Sequence, residues 1–349
     1  MNSTKISAGI VTYNSKKHLK SCLTSLAKQK HPLSQIIIFD NNSPDFKYDE
    51  FKNIVDSIPE LPVTEIISSP QNIGFGSAHN KILSKIDGNF YLMLNPDVVL
   101  EEDFLLEAIN SFTKNPEISA LNAQILYSQY EKPTIYSTGH TLFKERRFED
   151  IGIGTPASEH QKSRMVLGFN GACPVIKTKA LKDVSYPEGP FDKAYFLYGE
   201  DDDLNWRMAL AGHLTIYEPK CLAHHIAGAS GAHKNPIARR SALYNRWLTI
   251  VKNDKLLFFC LDLPFIIGGE LFYILIRTIK KPSFLPDYFI SIVKFFTLLP
   301  HALKRRRITP IRLNRATERQ LFEKNYFTRF TTVFKRSFLK SKHKSIWNH

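Results

Sequence analysis

Apolar and polar positions alternate in blocks along the first 125 residues. Residues 6–12 form a short apolar run, and Leu19, Cys22, Leu23 and Leu26 then recur at helical spacing behind a cap at Asn14 or Ser15. Pro32 stops that helix, and residues 35–39 make a second apolar run ending at Asp40. A weaker strand covers 63–68, a glycine-marked turn at 72–80 opens a helix, and 90–94 reads as another buried strand. Residues 103–115 are helical up to Pro116, with a further strand near 118–123. This order predicts an α/β fold with a parallel sheet and right-handed crossovers. Ligands of such sheets bind at the carboxyl ends of the strands. Asp40, the Asn72 turn and Asp97 all fall there.

Beyond residue 125 the elements shorten and mix, and from 256 to 276 the chain is almost wholly apolar. Asp262, Pro264, Gly268, Gly269 and Glu270 argue against a membrane span. At about 100° per residue, Asp262, Glu270, Tyr273 and Arg277 share a stripe roughly 80° wide, which suits an interfacial helix. Charge supports that reading. Residues 1–250 carry 27 basic and 27 acidic side chains, whereas 301–349 carry 14 basic and 2 acidic. Twelve of the fourteen excess positive charges of the 349-residue chain thus lie in its last 49 residues. Such a tail fits an anionic membrane surface, acidic head groups or nucleic acid. Four cysteines without C-x-x-C spacing read as reduced thiols, and no secretory signal precedes the first strand.

Glu200, Asp201, Asp202 and Asp203 open a helical pattern continued by Leu204, Met208 and Ala211 and closed by Gly212. A helix N-terminus favours negative charge, yet four neighbouring acids with aromatic flanks also ask for a cation, a proton or solvent. Asp97 follows a fully apolar strand; it is a turn residue or a carboxylate that holds a divalent ion against phosphate oxygens. Asp40 either accepts hydrogen bonds from a nucleoside or closes an Asx turn with Asn42. Gly74 lets backbone approach a ligand, and Asn80 can meet polar groups from the following helix. His224 and His225 point to opposite faces of a strand, so spacing alone does not say which one faces a site.

Together these strings resemble glycosyltransferase family 2, in particular its rhamnosyltransferase-like branch in bacterial polysaccharide synthesis. The matching segments are Ile10-Val-Thr-Tyr-Asn-Ser15, Phe39-Asp-Asn-Asn-Ser43, Asn72-Ile-Gly-Phe75 and Leu94-Asn-Pro-Asp97. Gly171-Ala-Cys173, Phe191-Asp192, residues 196–204, Trp206-Arg207, 219–230, Asn245-Arg246 and Lys252-Asn253 continue the pattern. The resemblance implies a GT-A type nucleotide-binding fold, with a Rossmann-like central sheet flanked by helices, over residues 1–250. Its nucleotide part would cover about 1–125 and its acceptor part 126–250, followed by an amphipathic, basic region at 251–349.

The resemblance also implies roles. Thr12, Tyr13, Asn14, Asp40, Asn72 and Gly74 would hold the nucleoside, with Asn80, Asn95, Gly171, Ala172 and Arg207 as further substrate contacts. Asp97 would bind Mg²⁺ or Mn²⁺ with His225, His224 standing in reserve. Asp201 would be the general base, with Glu200 and Asp203 beside it, and Asp202 idle. The implied activity is inverting transfer of a sugar, rhamnose from dTDP-rhamnose first among candidates, from a nucleotide-diphosphate donor to a lipid-linked saccharide. The implied place is the cytoplasmic face of the inner membrane, with no nucleic-acid partner. A sugar-phosphate nucleotidyltransferase would need a glycine-rich basic N-terminal loop that residues 10–15 lack. A non-catalytic binding protein would leave Asp97, the acidic string and His225 without a common purpose.

Overall fold

The computed structural model describes residues 4–226 and 235–309. The glycine-containing exit after the two histidines (227–230) and the basic tail beyond 309 lie outside the described residues. The nucleotide half follows the apolar blocks: β1 (Ile6–Thr12), α1 (Lys16–Ala27), β2 (Gln35–Asp40), α2 (Tyr48–Asp56), β3 (Thr64–Ser68), α3 (Phe75–Leu83) and β4 (Phe90–Leu94). β1 pairs in parallel with both β2 and β4, and β2 pairs with β3. A short β5 (Val98–Leu100) and α4 (Phe104–Lys114) lead into β6 (Ile118–Tyr127). Side chains alternate across the sheet: Leu92 and Leu94 join the core beneath α1 and α4, while Tyr91 and Met93 join the core on the opposite face.

The second half supplies β7 (Ile135–Ser137), the hairpin β8 (His140–Leu142) and β9 (Phe148–Asp150), β10 (Arg164–Val166) and β11 (Val175–Lys177). After these come α5 (Thr178–Asp183), α6 (Glu200–Leu210) and β12 (Leu214–His225). The sheet is mixed rather than wholly parallel. β11 inserts antiparallel between β4 and β6, giving the order β10-β12-β6-β11-β4-β1-β2-β3. Antiparallel insertion places the turn before β11, residues 170–174, beside the carboxyl end of β4, where Asn95 N–H donates to the Ala172 carbonyl at 2.8 Å.

Helices α7 (Pro236–Asn253), α8 (Leu256–Leu261), α9 (Leu263–Lys280) and α10 (Phe284–Arg306) complete the described chain. The apolar 256–276 stretch is broken at Asp262, the cap residue of α9, with a proline in the first turn behind it. A buried ionic latch binds these helices to α6. Lys252 Nζ lies 2.7 Å from Asp192 and 3.0 Å from Asp203. Asp203 also meets Arg207 at 3.0 Å and accepts from Asn253 at 2.9 Å. His301 on α10 reaches Asp192 at 2.8 Å. Residue 250/251 therefore falls inside α7, and α10 is anchored to the preceding domain.

Removing one partner of a buried ion cluster leaves an uncompensated charge, at about 3–5 kcal/mol. Lys252→Met should lower the urea unfolding free energy by about that amount. A loss below about 1 kcal/mol would show that the latch is dispensable.

Candidate active site

The carboxyl ends of β1 and β2 meet at Asp40, which is buried and works as a hub. Thr12 Oγ1 donates to its Oδ1 at 3.0 Å, Ser43 Oγ donates to the same oxygen at 2.6 Å, and Ser43 N–H donates to Oδ2 at 2.9 Å. Two residues here, Asn14 and Asn42, take positive φ (53° and 64°), which Asn tolerates because its short side chain bonds locally. Tyr13 is left exposed at the rim. Asn41 reaches across to the next loop, donating to Asn72 Oδ1 at 3.0 Å and accepting from Ile73 N–H at 2.9 Å. Gly74 has φ 84°, and a Cβ there would stand 2.4 Å from the Phe196 carbonyl, so this turn admits only glycine.

Asp97 sits in the turn from β4 to β5, and His225 ends β12 opposite Val98. Their Oδ1 and Nε2 atoms come within 3.3 Å, an ion-pair contact. The ring of His225 packs edge-on against Tyr136, and its buried Nδ1 has no hydrogen-bond partner. His224 points to the other face and meets the exposed Glu101 at 2.9 Å. Geometry thus separates the two histidines that spacing left open. Among the described residues no third His, Cys, Asp or Glu joins Asp97 and His225. One carboxylate oxygen and one imidazole nitrogen, 3.3 Å apart at neighbouring strand ends, are donors that fit a hard divalent ion taking its remaining ligands from diphosphate oxygens and water.

The acidic string opens α6 as the pattern predicts, and two consecutive left-handed residues aim it. Tyr198 (φ 66°) and Gly199 (φ 85°) turn the chain, and Asn245 Nδ2 clamps the Tyr198 carbonyl at 2.7 Å. Tyr198 is bulky and pays strain in this region, a cost concentrated at functional turns. Each acid then has a different surrounding. Asp201 Oδ2 accepts from Gly171 N–H at 3.2 Å, and its Oδ1 accepts from Asp202 N–H at 3.0 Å. Burial and the neighbouring Asp202 raise its carboxyl to about 6. Glu200 is buried with Oε2 unpartnered, and burial together with Asp201 raises it to about 8.

Glu200 therefore folds protonated at neutral pH, whereas the unfolded chain would ionise it above 4.5. Folding takes up a proton in that window, so its contribution falls as pH rises from 4.5 towards 8. Glu200→Gln should melt increasingly above the wild type from pH 5 to pH 8; a gap that shrinks over this range would reverse the assignment.

Asp202 is not idle. It lies 3.2 Å from Nδ1 of the buried His140, whose Nε2 is 3.3 Å from Asp150. Burial lowers the pKa of His140, but Asp150, Asp202 and Asp201 outweigh it and hold the ring protonated well above the usual range. Asp150 accepts from Asn170 at 2.9 Å, and Asn170 Oδ1 accepts from Ala172 N–H at 3.0 Å. A closed ring of contacts therefore runs from Asp201 through the 170–172 turn to Asp150, His140 and Asp202. His140, Asp150 and Asn170 were not anticipated from the sequence. A three-residue strand is too short for periodicity to reveal, and only the fold shows that its His140 and Leu142 both point inward.

Three anticipated contacts are spent elsewhere. Both ends of the Asn80 amide engage the Phe191 backbone, at 2.7 and 3.0 Å, so Asn80 fixes that loop instead of facing a ligand. Arg207 is fully buried and donates to Asp203, the Val184 carbonyl and the Pro190 carbonyl. Asp203 belongs to the ionic latch. Neither is a reacting or substrate-touching group; both hold α6 in place.

The description "Glycosyl transferase family 2" matches residues 7–182. An N-acetylglucosaminyl-diphospho-decaprenol L-rhamnosyltransferase of Mycobacterium tuberculosis is 25% identical over 63% of this chain and 76% of its own length. The O-antigen biosynthesis protein RfbC of Myxococcus xanthus is 22% identical over 64% of this chain but only 18% of itself. Among solved structures, S. aureus TarS 1-349 superposes with a TM-score of 0.54 at 15% identity, covering 86% of this chain and 82% of that one. GalNAc-T7 with UDP, GalNAc and Mn²⁺ gives 0.56 at 14% identity over 72% and 48% of the two chains. The structural likenesses carry the GT-A fold alone, and the family match covers half of the sequence with the strand-end motifs inside it. The chain belongs to glycosyl transferase family 2 and is a glycosyltransferase.

Proposed function

We propose that the protein transfers a sugar from a nucleotide-diphosphate donor to a saccharide acceptor with inversion at the anomeric carbon. The observation carrying this is the convergence of the Asp40 hub, the Asp97–His225 pair and Asp201 around the carboxyl ends of β1, β2 and β4. Thr12, Asp40 and the Asn72–Gly74 turn form the nucleoside side. Asp97 and His225 would hold Mg²⁺ or Mn²⁺, which when bound neutralises charge on the leaving diphosphate. Asp201 takes the proton of the acceptor hydroxyl as that oxygen attacks opposite the leaving group. A carboxyl raised to about 6 is mostly ionised at neutral pH yet basic enough to accept a proton. Glu200, Gly171 and the His140 ring fix its position and charge.

dTDP-rhamnose is the first donor to test, supported by the mycobacterial relative's printed activity; UDP-galactose and UDP-glucose are its competitors. Hydrolysis and binding assays over these donors, with and without Mn²⁺, decide the matter. Absence of any metal-dependent nucleotide-sugar binding would sink the reading.

A lipid-linked acceptor is supported by α8–α10, which are amphipathic in the reverse of the usual sense. Their acids face inward: Asp262 meets Arg146 at 2.7 Å, Glu270 meets Arg147 at 2.7 Å, and Asp287 meets Arg239 at 2.7 Å. Asp262 and Glu270 of the stripe read from the sequence thus dock on the domain while Arg277 stays exposed, and Leu257, Leu261, Leu271, Leu275, Phe289, Val293 and Phe296 are left exposed. Apolar patches of that extent mark partner or membrane surfaces. No helix among the described residues is long and apolar enough to span a bilayer. Lys280, Lys281, Lys294 and Lys304 of the same segment are exposed as well, which fits peripheral docking on anionic lipid at the cytoplasmic side of the inner membrane.

Full-length protein should co-sediment with anionic phospholipid vesicles, and Leu271→Glu with Phe289→Glu should weaken this by about tenfold or more. Because both side chains are exposed, the fold should be unaffected. Unchanged sedimentation would reject the docking.

A further inference from the structure

The β8–β9 hairpin is gripped at both ends. At its tip, Arg146 is buried with a left-handed φ of 59° and meets Asp254 and Asp262, each at 2.7 Å. Next to it, Arg147 reaches Glu270 of α9 at 2.7 Å, and Tyr288 O–H of α10 donates to the other Glu270 oxygen at 2.7 Å. Arg246 of α7 joins the same bridge and also donates to the Glu145 and Arg146 carbonyls, at 2.6 and 3.0 Å. Burial alone would raise the Glu270 carboxyl, but Arg246 and Arg147 outweigh it and hold it below the usual range, so it is ionised at neutral pH. α9 closes onto the tip at Gly269, where a Cβ would stand 3.1 Å from that of Glu145.

At its open end the hairpin holds the acids of α6. Strand register sets His140 opposite Asp150. His140 lies 3.3 Å from Asp150 and 3.2 Å from Asp202. Asp150 accepts from Asn170, whose neighbour Gly171 donates its N–H to Asp201 at 3.2 Å. Only three residues of extended chain, about 10 Å, run from Arg147 to Asp150. Leu142 and Phe148 belong to one apolar cluster with Trp206 and Leu210 of α6. Beside that cluster, Arg147, Phe148, Glu149 and Asp202 border a cavity of about 240 Å³ that also reaches Glu270. Strand β9 therefore has space to shift once the Glu270 bridges are gone, and close packing does not replace them there.

We propose that Glu270 and Arg147 are positioning residues for the Asp201 base, acting through the β8–β9 hairpin on the contact between His140 and Asp202. The word base rests on the glycosyltransferase reading; the link from α9 to His140 does not. Asp201 is faced by Glu200 and Asp202 on α6, by His140 on β8 and by Asp150 on β9. His140 is the cation of that set. Slackening the hairpin withdraws its charge from Asp201 and favours the protonated carboxyl.

Two readouts separate the link from the enzymatic reading. In full-length protein carrying isotope-labelled histidine, NMR should show His140 protonated at neutral pH, and Glu270→Gln should lower its titration midpoint. The second readout is hydrolysis of dTDP-rhamnose, UDP-galactose and UDP-glucose with Mn²⁺, water taking the place of the acceptor. Glu270→Gln should lower kcat by about tenfold or more below neutral pH, with donor KM within about twofold. Its acid limb should move to higher pH. Arg147→Met should do the same, and Arg147→Lys, which keeps the charge, should displace the limb less. Adding Glu270→Gln to His140→Gln should displace it no further, because both act on one contact. General destabilisation would not produce that non-additivity. An equal His140 midpoint in wild type and Glu270→Gln, an unmoved limb, or additive displacement with His140→Gln would each overturn the proposal. If none of the three nucleotide sugars is bound or hydrolysed while Glu270→Gln still shifts His140, the enzymatic reading falls and the link from α9 stands.

Discussion

Asp201→Asn should cut sugar transfer by about 10³-fold while leaving nucleotide-diphosphate affinity within about twofold. The asymmetry follows from position. Both carboxyl oxygens of Asp201 are held by backbone N–H groups, at 3.2 Å from Gly171 and 3.0 Å from Asp202, and the Asp40 hub and Asp97 lie on other loops. Asparagine keeps the size, but one of its two positions can no longer accept, and it has no basicity. In the wild type, transfer should rise with pH through about 6 as Asp201 loses its proton, then level off. Glu200 shares the titration, so the limb is a property of the pair. Asp201→Asn should abolish that limb, whereas His140→Gln, which removes a buried positive charge beside Asp202 and Asp201, should move it to higher pH. Equal loss of nucleotide binding in Asp201→Asn would make the residue structural, and an unmoved limb in His140→Gln would remove His140 from the site's electrostatics.

Much of the nucleotide half was legible because its strands are continuous apolar runs and its polar residues sit where those runs stop. The helix at the acidic string was legible from Leu204, Met208 and Ala211 at helical spacing, closed by Gly212. Orientation was not. Adjacent residues such as Asp201, Asp202 and Asp203 lie about 100° apart on a helix, so one string sends a carboxylate to the cleft, one to His140 and one to the ionic latch. Arg207 and Asn80 carry side chains suited to ligands, but buried backbone carbonyls and N–H groups claimed them first. The antiparallel β11 has three residues and no pattern of its own, so its insertion beside β4 could only come from three-dimensional packing. The same holds for the polar stripe of α9. Periodicity locates a stripe, and only Arg147 and Arg246, more than 20 residues away in sequence, decide that its Glu270 points inward.

Asp97→Asn should remove divalent-ion dependence from nucleotide-diphosphate binding and lower affinity in the presence of Mn²⁺ on the order of 10²-fold. Without added metal, wild type and variant should bind equally weakly, because the Asp40 hub is intact in both. His225→Gln should produce the same pattern, since its Nε2 stands 3.3 Å from Asp97 Oδ1 and the two would share one ion. Two residues serving one ligand couple strongly, so the double variant should be scarcely worse than either single one. His224→Gln supplies the contrast. It lies next in sequence but turns to the exposed Glu101, and an exposed pair of that kind contributes about 1 kcal/mol or less. It should therefore bind nucleotide and metal like the wild type. A loss in His224→Gln equal to that in His225→Gln would mean that the pair acts through β12 as a whole. Independent, additive losses at Asp97 and His225 would show two separate contacts to the diphosphate in place of a shared cation.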